Sequence, residues 1–205
     1  MNKLKYYFPE LSNDQIKQFE MLPGLFNYWN SKINVISRKD IAEIEIRHIL
    51  HSLSIAKFFS FNNNSKILDV GTGGGFPGIP LAIFFPDVDF TLIDRTEKKI
   101  KIIDFIKEDL KIKNIRTIVG DVKNLKSRFD FVLGRAVSKM EKFVPLVKKN
   151  VLIQKDESGI IYLKGGDLTY EEERFPNIKI YLLKDRFKSN FFETKKIIYI
   201  PQNDF

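Results

Sequence analysis

The sequence contains no cysteine and only two histidines among its 205 residues. Without cysteine there is no disulfide bond, no thiolate ligand for a metal and no cysteine nucleophile. Two histidines are too few for most metal sites built on imidazole ligands, so no bound metal is expected. The chemistry of this chain must therefore rest on other groups.

Long hydrophobic runs are also missing. The longest nearly apolar stretch, Phe76 to Phe85, is about ten residues long and includes two prolines, whereas a membrane-spanning helix needs about 20. The amino-terminal sequence MNKLKYYFPEL lacks the apolar core of a signal peptide. We therefore expect a soluble, cytoplasmic protein that does not contact a membrane.

Basic residues outnumber acidic ones by 34 to 26, which gives a net charge of +8. Such a balance favours a polyanionic partner such as nucleic acid. A general bias towards lysine explains the charge equally well, so charge alone leaves the question open. Apolar residues make up 43% of the chain, enough for one sizeable core with an extension.

The most informative stretch is KILDVGTGGGFPGIP, from Lys66 to Pro80. A short apolar run typical of a buried parallel strand is followed by four glycines in five residues. Pro77 then suits the first turn of a helix. A structural turn alone would need only one or two glycines. Strand, glycine turn and helix N-terminus together predict a cradle for a cofactor, because glycine allows close approach and the helix end offers free N–H groups.

Two cofactors are compatible with this cradle. Gly73, Gly75 and Gly78 match the dinucleotide pattern G-x-G-x-x-G, which is weak evidence by itself. Asp69 stands just before the turn, where a carboxylate would repel a pyrophosphate. The same carboxylate can hold the amino group of S-adenosylmethionine, directly or through water. The order D-x-G-x-G therefore favours S-adenosylmethionine over NAD.

The first 60 residues or so are predicted to be helical, because apolar residues recur at helical spacing. Ser12 is the expected N-cap, with Gln15 at the capping-box position. Pro23 and Gly24 are expected to kink or reset this helix. Asp40 is expected to cap a second helix.

From Lys66 onward, predicted strands and helices alternate and end in a hairpin, which indicates a mostly parallel seven-stranded sheet with an antiparallel edge. We expect an α/β fold in which a helical extension, residues 1–62, packs on a single Rossmann-like domain, residues 63–205. The predicted strands are 66–70, 90–94, 115–119, 129–133, 160–163, 178–183 and 196–200, and the predicted helices are 77–84, 97–110, 139–150 and 168–174.

Ligands in such sheets bind beyond the carboxyl ends of the strands. Asp94 ends the second strand, 19 residues after Gly75, and is predicted to accept hydrogen bonds from the ribose hydroxyls of an adenosine; capping of the next helix is the alternative. Residues 120–123 follow the third strand and are expected beside an adenine ring, although Asp121 after a glycine is also an ordinary turn.

Two basic residues end later strands. Arg135 can hold a phosphate or a base edge with its planar guanidinium, or it can simply be exposed to solvent. Lys164 precedes two glycines and can present its ammonium to RNA phosphate, or it can lie in a solvated loop. On the helical extension, His48 and His51 share one side of a helix. A packing face with a buried, hydrogen-bonded histidine is the stronger interpretation of that pair.

Four segments together resemble one known family. The segments are NVISRKDIAEIEIRHILHSL, DVGTGGGFPGIPLAI, GRAV and LKGG, in this order. The family is that of glucose-inhibited division protein B, the methyltransferase G of small-subunit ribosomal RNA. The resemblance covers nearly the whole chain, and GTGGGFPGIPLA and RHIL are its most specific parts.

The resemblance implies a class I S-adenosylmethionine-dependent methyltransferase fold with a helical amino-terminal extension. It implies N7-methylation of one guanine (position 527) in the 530 loop of bacterial 16S rRNA, either in rRNA or in a precursor of the small subunit. We expect the protein to be a monomer. The family's cofactor contacts fall on Gly71, Phe76, Val122, Lys123 and Arg135, while Asp69, Gly73 and Asp94 match the wider methyltransferase pattern.

The chain departs from the family pattern at four positions. The family commonly has Ser at Gly134, Asp at His51, Arg at Asp121 and Glu at Lys123. The last difference matters most, because a lysine cannot accept hydrogen bonds from an adenosine as a glutamate does. We therefore expect any cofactor contact at Lys123 to be made by its backbone.

Guanine N7 carries a free lone pair, so in-line attack on a sulfonium methyl group needs no general base. Rate enhancement is then expected from proximity and electrostatic stabilisation, with Arg135, Lys164 and His48 as the candidate catalytic residues and Arg47 as a weaker one. A methyltransferase acting on protein or a small molecule and a non-enzymatic RNA-binding module stay open as alternatives. An NAD oxidoreductase is poorly supported, since no Tyr-Lys pair, cysteine or histidine ends a strand.

Overall fold

The computed structural model describes residues 2–33, 41–153 and 157–204. Its seven strands are β1 (Lys66–Val70), β2 (Asp89–Asp94), β3 (Ile115–Val119), β4 (Phe131–Arg135), β5 (Gly159–Gly165), β6 (Lys179–Leu182) and β7 (Lys195–Pro201). They form one sheet in the order β3-β2-β1-β4-β5-β7-β6. Strands β1 to β5 are parallel, and β7 is antiparallel to β5 and β6. The predicted sheet is confirmed, and its order reverses at β1, where such sheets bind ligands.

Helices cover both faces of this sheet and form the amino-terminal extension. They are α1 (Asn2–Tyr7), α2 (Asn13–Lys32), a π-helix (Glu45–Leu50), α3 (His51–Leu53), α4 (Gly78–Phe84), α5 (Glu97–Asp109), α6 (Met140–Val147) and α7 (Thr169–Arg174). No helix among the described residues is both long and apolar enough to cross a bilayer.

The predicted capping box begins α2. The Ser12 hydroxyl accepts from the Gln15 N–H at 3.3 Å, and Gln15 Oε1 accepts from the Ser12 N–H at 2.9 Å. The helix continues to Lys32 with Pro23 inside it, so of the two predicted effects of Pro23 the reset is wrong, whereas the kink stays a prediction. The predicted cap at Asp40 lies outside the described residues.

The extension shares its core with the sheet. Phe19, Leu22 and Phe26 on α2 are buried in the same hydrophobic cluster as residues of α4 and α5. The Phe26 ring stacks on Phe76 with centroids 4.7 Å apart. This packing places the extension beside the glycine turn, while the boundary at residue 62 stays a prediction.

Three predicted boundaries shift in ways that matter for the site. Strand β4 begins at Phe131 rather than at residue 129, because Phe129 forms only an isolated bridge to Val151. Arg135 is therefore the last residue of β4. Strand β5 extends to Gly165 and so includes Lys164. Pro77 is the N-cap of α4 rather than its first helical residue.

Candidate active site

The glycine turn follows β1 and bends over the end of β2. The N–H groups of Gly71 and Thr72 donate to the Ile93 carbonyl at 2.8 and 3.1 Å. Gly73 has a φ of +60°, a conformation that favours glycine. A Cβ on Gly73 would meet nothing closer than 3.9 Å, because this residue faces open space.

At Gly78, the first residue of α4 approaches β1 and β2 so closely that only glycine fits. Its N–H donates to Asp69 Oδ2 at 2.9 Å. A Cβ on Gly78 would lie 2.7 Å from Leu92 and 2.9 Å from that same oxygen. The first residue of α4 is therefore held directly against the ends of β1 and β2.

Asp69 is completely buried beneath the turn. Its Oδ2 accepts from the Thr72 hydroxyl at 2.6 Å as well as from Gly78. Its Oδ1 has no hydrogen-bond partner among the described residues. Burial raises the pKa of Asp69 from 3.8 to about 7, against the lowering effect of these hydrogen bonds. The carboxyl group of Asp69 therefore titrates near neutral pH, and its Oδ1 is available to accept a hydrogen bond.

Asp94 connects the turn to the end of β2. Its Oδ2 accepts from the Gly73 N–H at 3.0 Å and its Oδ1 accepts from the Thr96 N–H at 2.9 Å. Lys99 Nζ lies 3.6 Å from Oδ2. Asp94 thus holds the backbone at Gly73 and Thr96, and it also lines a cavity at the ends of the strands.

A cavity of about 440 Å³ lies beyond the carboxyl ends of β1 to β4 and is named here the strand-end cavity. Val122 is a buried part of its wall. Lys123 is outside this wall: its side chain is exposed, and its N–H donates to Asp121 Oδ1 at 2.9 Å. The lining also includes Val70, Gly71, Ile93, Asp94, Arg95, Thr96, Lys99, Gly120, Asp121, Ala136, Val137, Ser138 and Leu146.

A second cavity of about 430 Å³ adjoins the first and is named the mouth cavity. Four of its lining residues are basic and none is acidic, so it favours an anionic or electron-rich ligand. It brings together the extension, the glycine turn and the ends of β4 and β7. Its lining residues are Arg47, His48, His51, Gly71, Thr72, Gly73, Gly74, Phe76, Lys99, Arg135, Ala136, Phe191 and Lys195.

Arg135 links the sheet to the extension across this cavity. Its guanidinium donates to the Arg47 carbonyl at 3.3 Å and to His48 Nδ1 at 2.8 Å. Because arginine only donates, Nδ1 of His48 is the acceptor. The guanidinium also lies over the Phe76 ring, 5.2 Å from its centroid. The structure therefore brings Arg135, His48 and Phe76 together.

His51 is buried next to this group. Burial lowers the pKa of His51 well below 6.5, and the charges of Arg135 and Lys195 lower it further. Its Nε2 has no hydrogen-bond partner among the described residues. The imidazole is therefore neutral at physiological pH.

Lys164 lies apart from both cavities. Its ammonium contacts the carboxylate of Glu171 on α7, whose side chain is 3% exposed. Lys195 lines the mouth cavity instead, and the sequence analysis missed it. It pairs with Gly165 across the antiparallel β5–β7 register. The signal that could have indicated Lys195 is the basic start of β7, which lies beside the lysine and glycines at the end of β5.

The described residues contain no group of three or more histidine, cysteine or acidic side chains arranged to hold a metal.

Solved structures with this fold support the architecture. A S-adenosylmethionine-dependent methyltransferase from Aquifex aeolicus is similar with a TM-score of 0.54 and 16% identity, covering 78% of this chain and 97% of that one. A precorrin-6y C5,15-methyltransferase from Geobacter metallireducens also has a TM-score of 0.54, with 12% identity and coverage of 82% and 90%. The chain therefore has the fold of class I S-adenosylmethionine-dependent methyltransferases.

Sequence comparison narrows this class. The family model GidB, described as rRNA small subunit methyltransferase G, matches residues 15–196. The chain is 51% identical over 201 residues to a ribosomal RNA small subunit methyltransferase G of Christiangramia forsetii, covering 97% of this chain and 95% of that protein. A relative of the same name in Flavobacterium psychrophilum is 50% identical over 204 residues, with 98% of each covered. The chain belongs to the GidB family of methyltransferases, as its motifs predicted.

Proposed function

We propose that this chain transfers the methyl group of S-adenosylmethionine to N7 of a guanine in the 530 loop of small-subunit ribosomal RNA. The junction of the two cavities carries the proposal. The strand-end cavity and the mouth cavity share Gly71, Lys99 and Ala136. A group held in one cavity therefore lies beside a group held in the other, as methyl transfer by direct displacement requires.

The strand-end cavity suits an adenosine cofactor. Asp94 offers carboxylate oxygens to ribose hydroxyls, and Val122 supplies an apolar wall. The open space at Gly73 allows a ligand to approach the backbone closely. When bound, S-adenosylmethionine supplies an electrophilic methyl group on its sulfonium.

Asp69 fits the amino group of this cofactor. Its Oδ1 is a buried acceptor without a partner among the described residues, and a cationic donor would satisfy it. We assign Asp69 to that amino group, directly or through one water molecule. Gly71, which lines both cavities, and Phe76, which lines the mouth cavity, adjoin this end of the cofactor through the turn backbone and an aromatic face.

The mouth cavity suits an acceptor that needs no deprotonation. Its lining contains no carboxylate, and Nδ1 of His48 is occupied by Arg135. Burial lowers the pKa of His51 well below 6.5, so its imidazole is a weak base. Guanine N7 attacks with its own lone pair, so the lack of a strong general base is no obstacle. The product base is cationic, so we assign Arg135 and Lys195 to phosphates or to guanine O6 rather than to N7.

His48 and Lys164, the other two candidate catalytic residues, have different roles in this proposal. His48 positions Arg135 by accepting its hydrogen bond. Lys164 reaches RNA only after leaving Glu171. Lys195, which lines the mouth cavity, is therefore the stronger candidate for a phosphate contact at this end of the sheet.

The test is to incubate the purified protein with methyl-labelled S-adenosylmethionine and small subunits or 16S rRNA that lack the modification. We expect label at a single guanine, mapped by chain cleavage specific for N7-methylguanosine, and strongly reduced label with Asp94→Ala. Comparison of naked rRNA with assembled subunits identifies the form of the substrate. Label in ribosomal protein, or methylation at another guanine atom, would contradict the proposal.

A further inference from the structure

The crossover from β3 to β4 leaves part of the sheet uncovered. The other parallel crossovers contain α4, α5 and α6, whereas residues 120–130 contain only a short 3-10 helix, Val122–Asn124. As a result, a cavity of about 380 Å³ opens at the amino-terminal ends of β1, β2 and β3. We name it the amino-end groove; it is lined by Lys66, Asp89, Phe90, Thr91, Lys113, Asn114, Ile115, Arg116, Ile118, Leu125, Ser127, Arg128 and Phe129.

The groove combines an apolar floor with a basic rim. Ile118, Leu125 and Phe129 pack together in one hydrophobic cluster and form part of the floor. Four exposed basic side chains surround it, against one carboxylate, that of Asp89. The basic residues are Lys66, Lys113, Arg116 and Arg128.

None of these four basic side chains forms an ion pair with another residue in the described ranges. Lysines on the exposed side of α5 behave differently. Lys101 pairs with Glu97 at 2.9 Å, and Lys107 pairs with Asp104 at 3.4 Å. Uncompensated cations around a concave surface produce a positive potential that attracts a polyanion.

The groove is separate from the methyl-transfer site but close enough to act with it. Lys66 begins β1 in the groove, and Val70 ends β1 in the strand-end cavity. A strand of that length spans about 13 Å, a distance that a few nucleotides of RNA bridge. Cations for phosphates together with an apolar floor for sugars and base faces are typical of single-stranded RNA sites.

We propose that the amino-end groove binds the phosphate backbone of the substrate ribosomal RNA, away from the guanine that is methylated. This inference rests on the proposed function. It assigns an RNA-binding role to a region that contacts neither the cofactor nor the target base, and it gives part of the net positive charge a specific purpose.

The first test removes charge from the rim. In Arg116→Gln/Arg128→Gln, we expect the Kd for the RNA substrate to rise about tenfold at about 0.15 M salt, and the slope of log Kd against log salt to fall by about two. The Kd for S-adenosylmethionine and kcat at saturating RNA stay unchanged. Arg116→Lys/Arg128→Lys retains RNA binding, because the charge is conserved.

The matched control is Lys5→Gln/Lys184→Gln, which removes two exposed lysines from α1 and from the segment after β6, at the opposite edge of the sheet. An equal loss of RNA affinity in this control, or no loss in the rim variant, overturns the inference. RNA binding and methyl transfer are measured separately. A wild type that fails to methylate RNA contradicts the proposed function, whereas an active rim variant with unchanged RNA affinity contradicts only the proposed RNA-binding role of the groove.

A second test uses the lack of cysteine. Ser127→Cys places a single thiol in the groove, to which an iron chelate that generates hydroxyl radicals is attached. We expect cleavage of the rRNA backbone at a discrete site that the same chelate on Lys184→Cys does not produce. Identical cleavage patterns from the two positions, or binding of inorganic phosphate alone without RNA contact, would overturn the assignment.

Discussion

The strand-end cavity and the mouth cavity adjoin each other but are built in different ways. The strand-end cavity is formed mainly by the ends of β1 to β4 and the backbone turns that follow them. Besides the glycine turn and Lys99, the mouth cavity combines side chains from three distant regions of the chain: residues 47–51, Arg135 and residues 191–195. The first depends on local backbone conformation, and the second depends on tertiary packing between the extension and the far edge of the sheet.

The same difference is visible in how the key side chains are held. Asp94 is fixed by backbone N–H groups of Gly73 and Thr96. Arg135 is fixed by groups of the extension, including His48. Substitutions in the two cavities should therefore affect cofactor and RNA separately, and each prediction below tests this separation.

The largest effect is expected for Asp94→Ala. The variant loses the carboxylate that we assign to the ribose and that also holds the glycine turn. Hydrogen bonds to a charged group contribute about 1.5–3 kcal/mol, so the Kd for S-adenosylmethionine should rise about 100-fold in calorimetric titration. The Kd for RNA should change less than threefold. A comparable loss of RNA affinity would mean that the two cavities are not independent.

A smaller effect with the opposite pattern is expected for Lys195→Gln. Removal of one phosphate contact should raise the KM for RNA about tenfold and leave the Kd for S-adenosylmethionine unchanged. Lys196→Gln is the matched control, because Lys196 donates to the Gly166 carbonyl at 3.0 Å and does not line the mouth cavity. Equal effects from the two substitutions would show that Lys195 does not make the proposed phosphate contact.

The strand-end cavity was largely predictable from the sequence because its signals are local. A short apolar strand, glycines and a strand-end carboxylate identify β1, the turn and Asp94 without knowledge of distant contacts. The capping box of α2 was predictable for the same reason. The exact ends of strands and helices shifted, as at β4, and α2 continues through Pro23.

The mouth cavity was less predictable because its lining residues are distant in the chain. Lys195 reaches the site through the antiparallel pairing of β5 with β7, and no short pattern encodes that pairing. Lys164 has the same local signal as a free strand-end lysine, yet it contacts the buried Glu171. The position of His48 against Arg135 likewise follows from the packing of the whole extension.

The pH dependence of stability gives a third test. The pKa of Asp69 is raised from 3.8, the ordinary value expected in the unfolded chain, to about 7 in the folded protein, because the carboxyl group is buried. Between these values the folded protein binds more protons than the unfolded chain, so Asp69 makes the free energy of unfolding fall as pH rises through this window. Asp69→Asn keeps the shape and removes the titration.

The measurement is urea unfolding of both proteins at pH 5 and pH 8 without cofactor. Between these two pH values, the wild type should lose about 2.5 kcal/mol more than Asp69→Asn. The difference between the two proteins cancels the contributions of all other titrating groups. Parallel pH profiles would show that Asp69 titrates alike in both states and would weaken its assignment to the cofactor's amino group.

The smallest effect is expected for Lys123→Ala, although this position matches a cofactor-binding position of the family. The Lys123 side chain is exposed, and the backbone N–H of Lys123 donates to Asp121 Oδ1. The Kd for S-adenosylmethionine should therefore change less than twofold. Asp121→Ala, which releases that backbone N–H and also removes the partner of Arg95 at 2.8 Å, should weaken cofactor binding more. If Lys123→Ala weakens binding tenfold, the lysine side chain itself reaches the cofactor, and the strand-end cavity depends on side chains more than its geometry indicates.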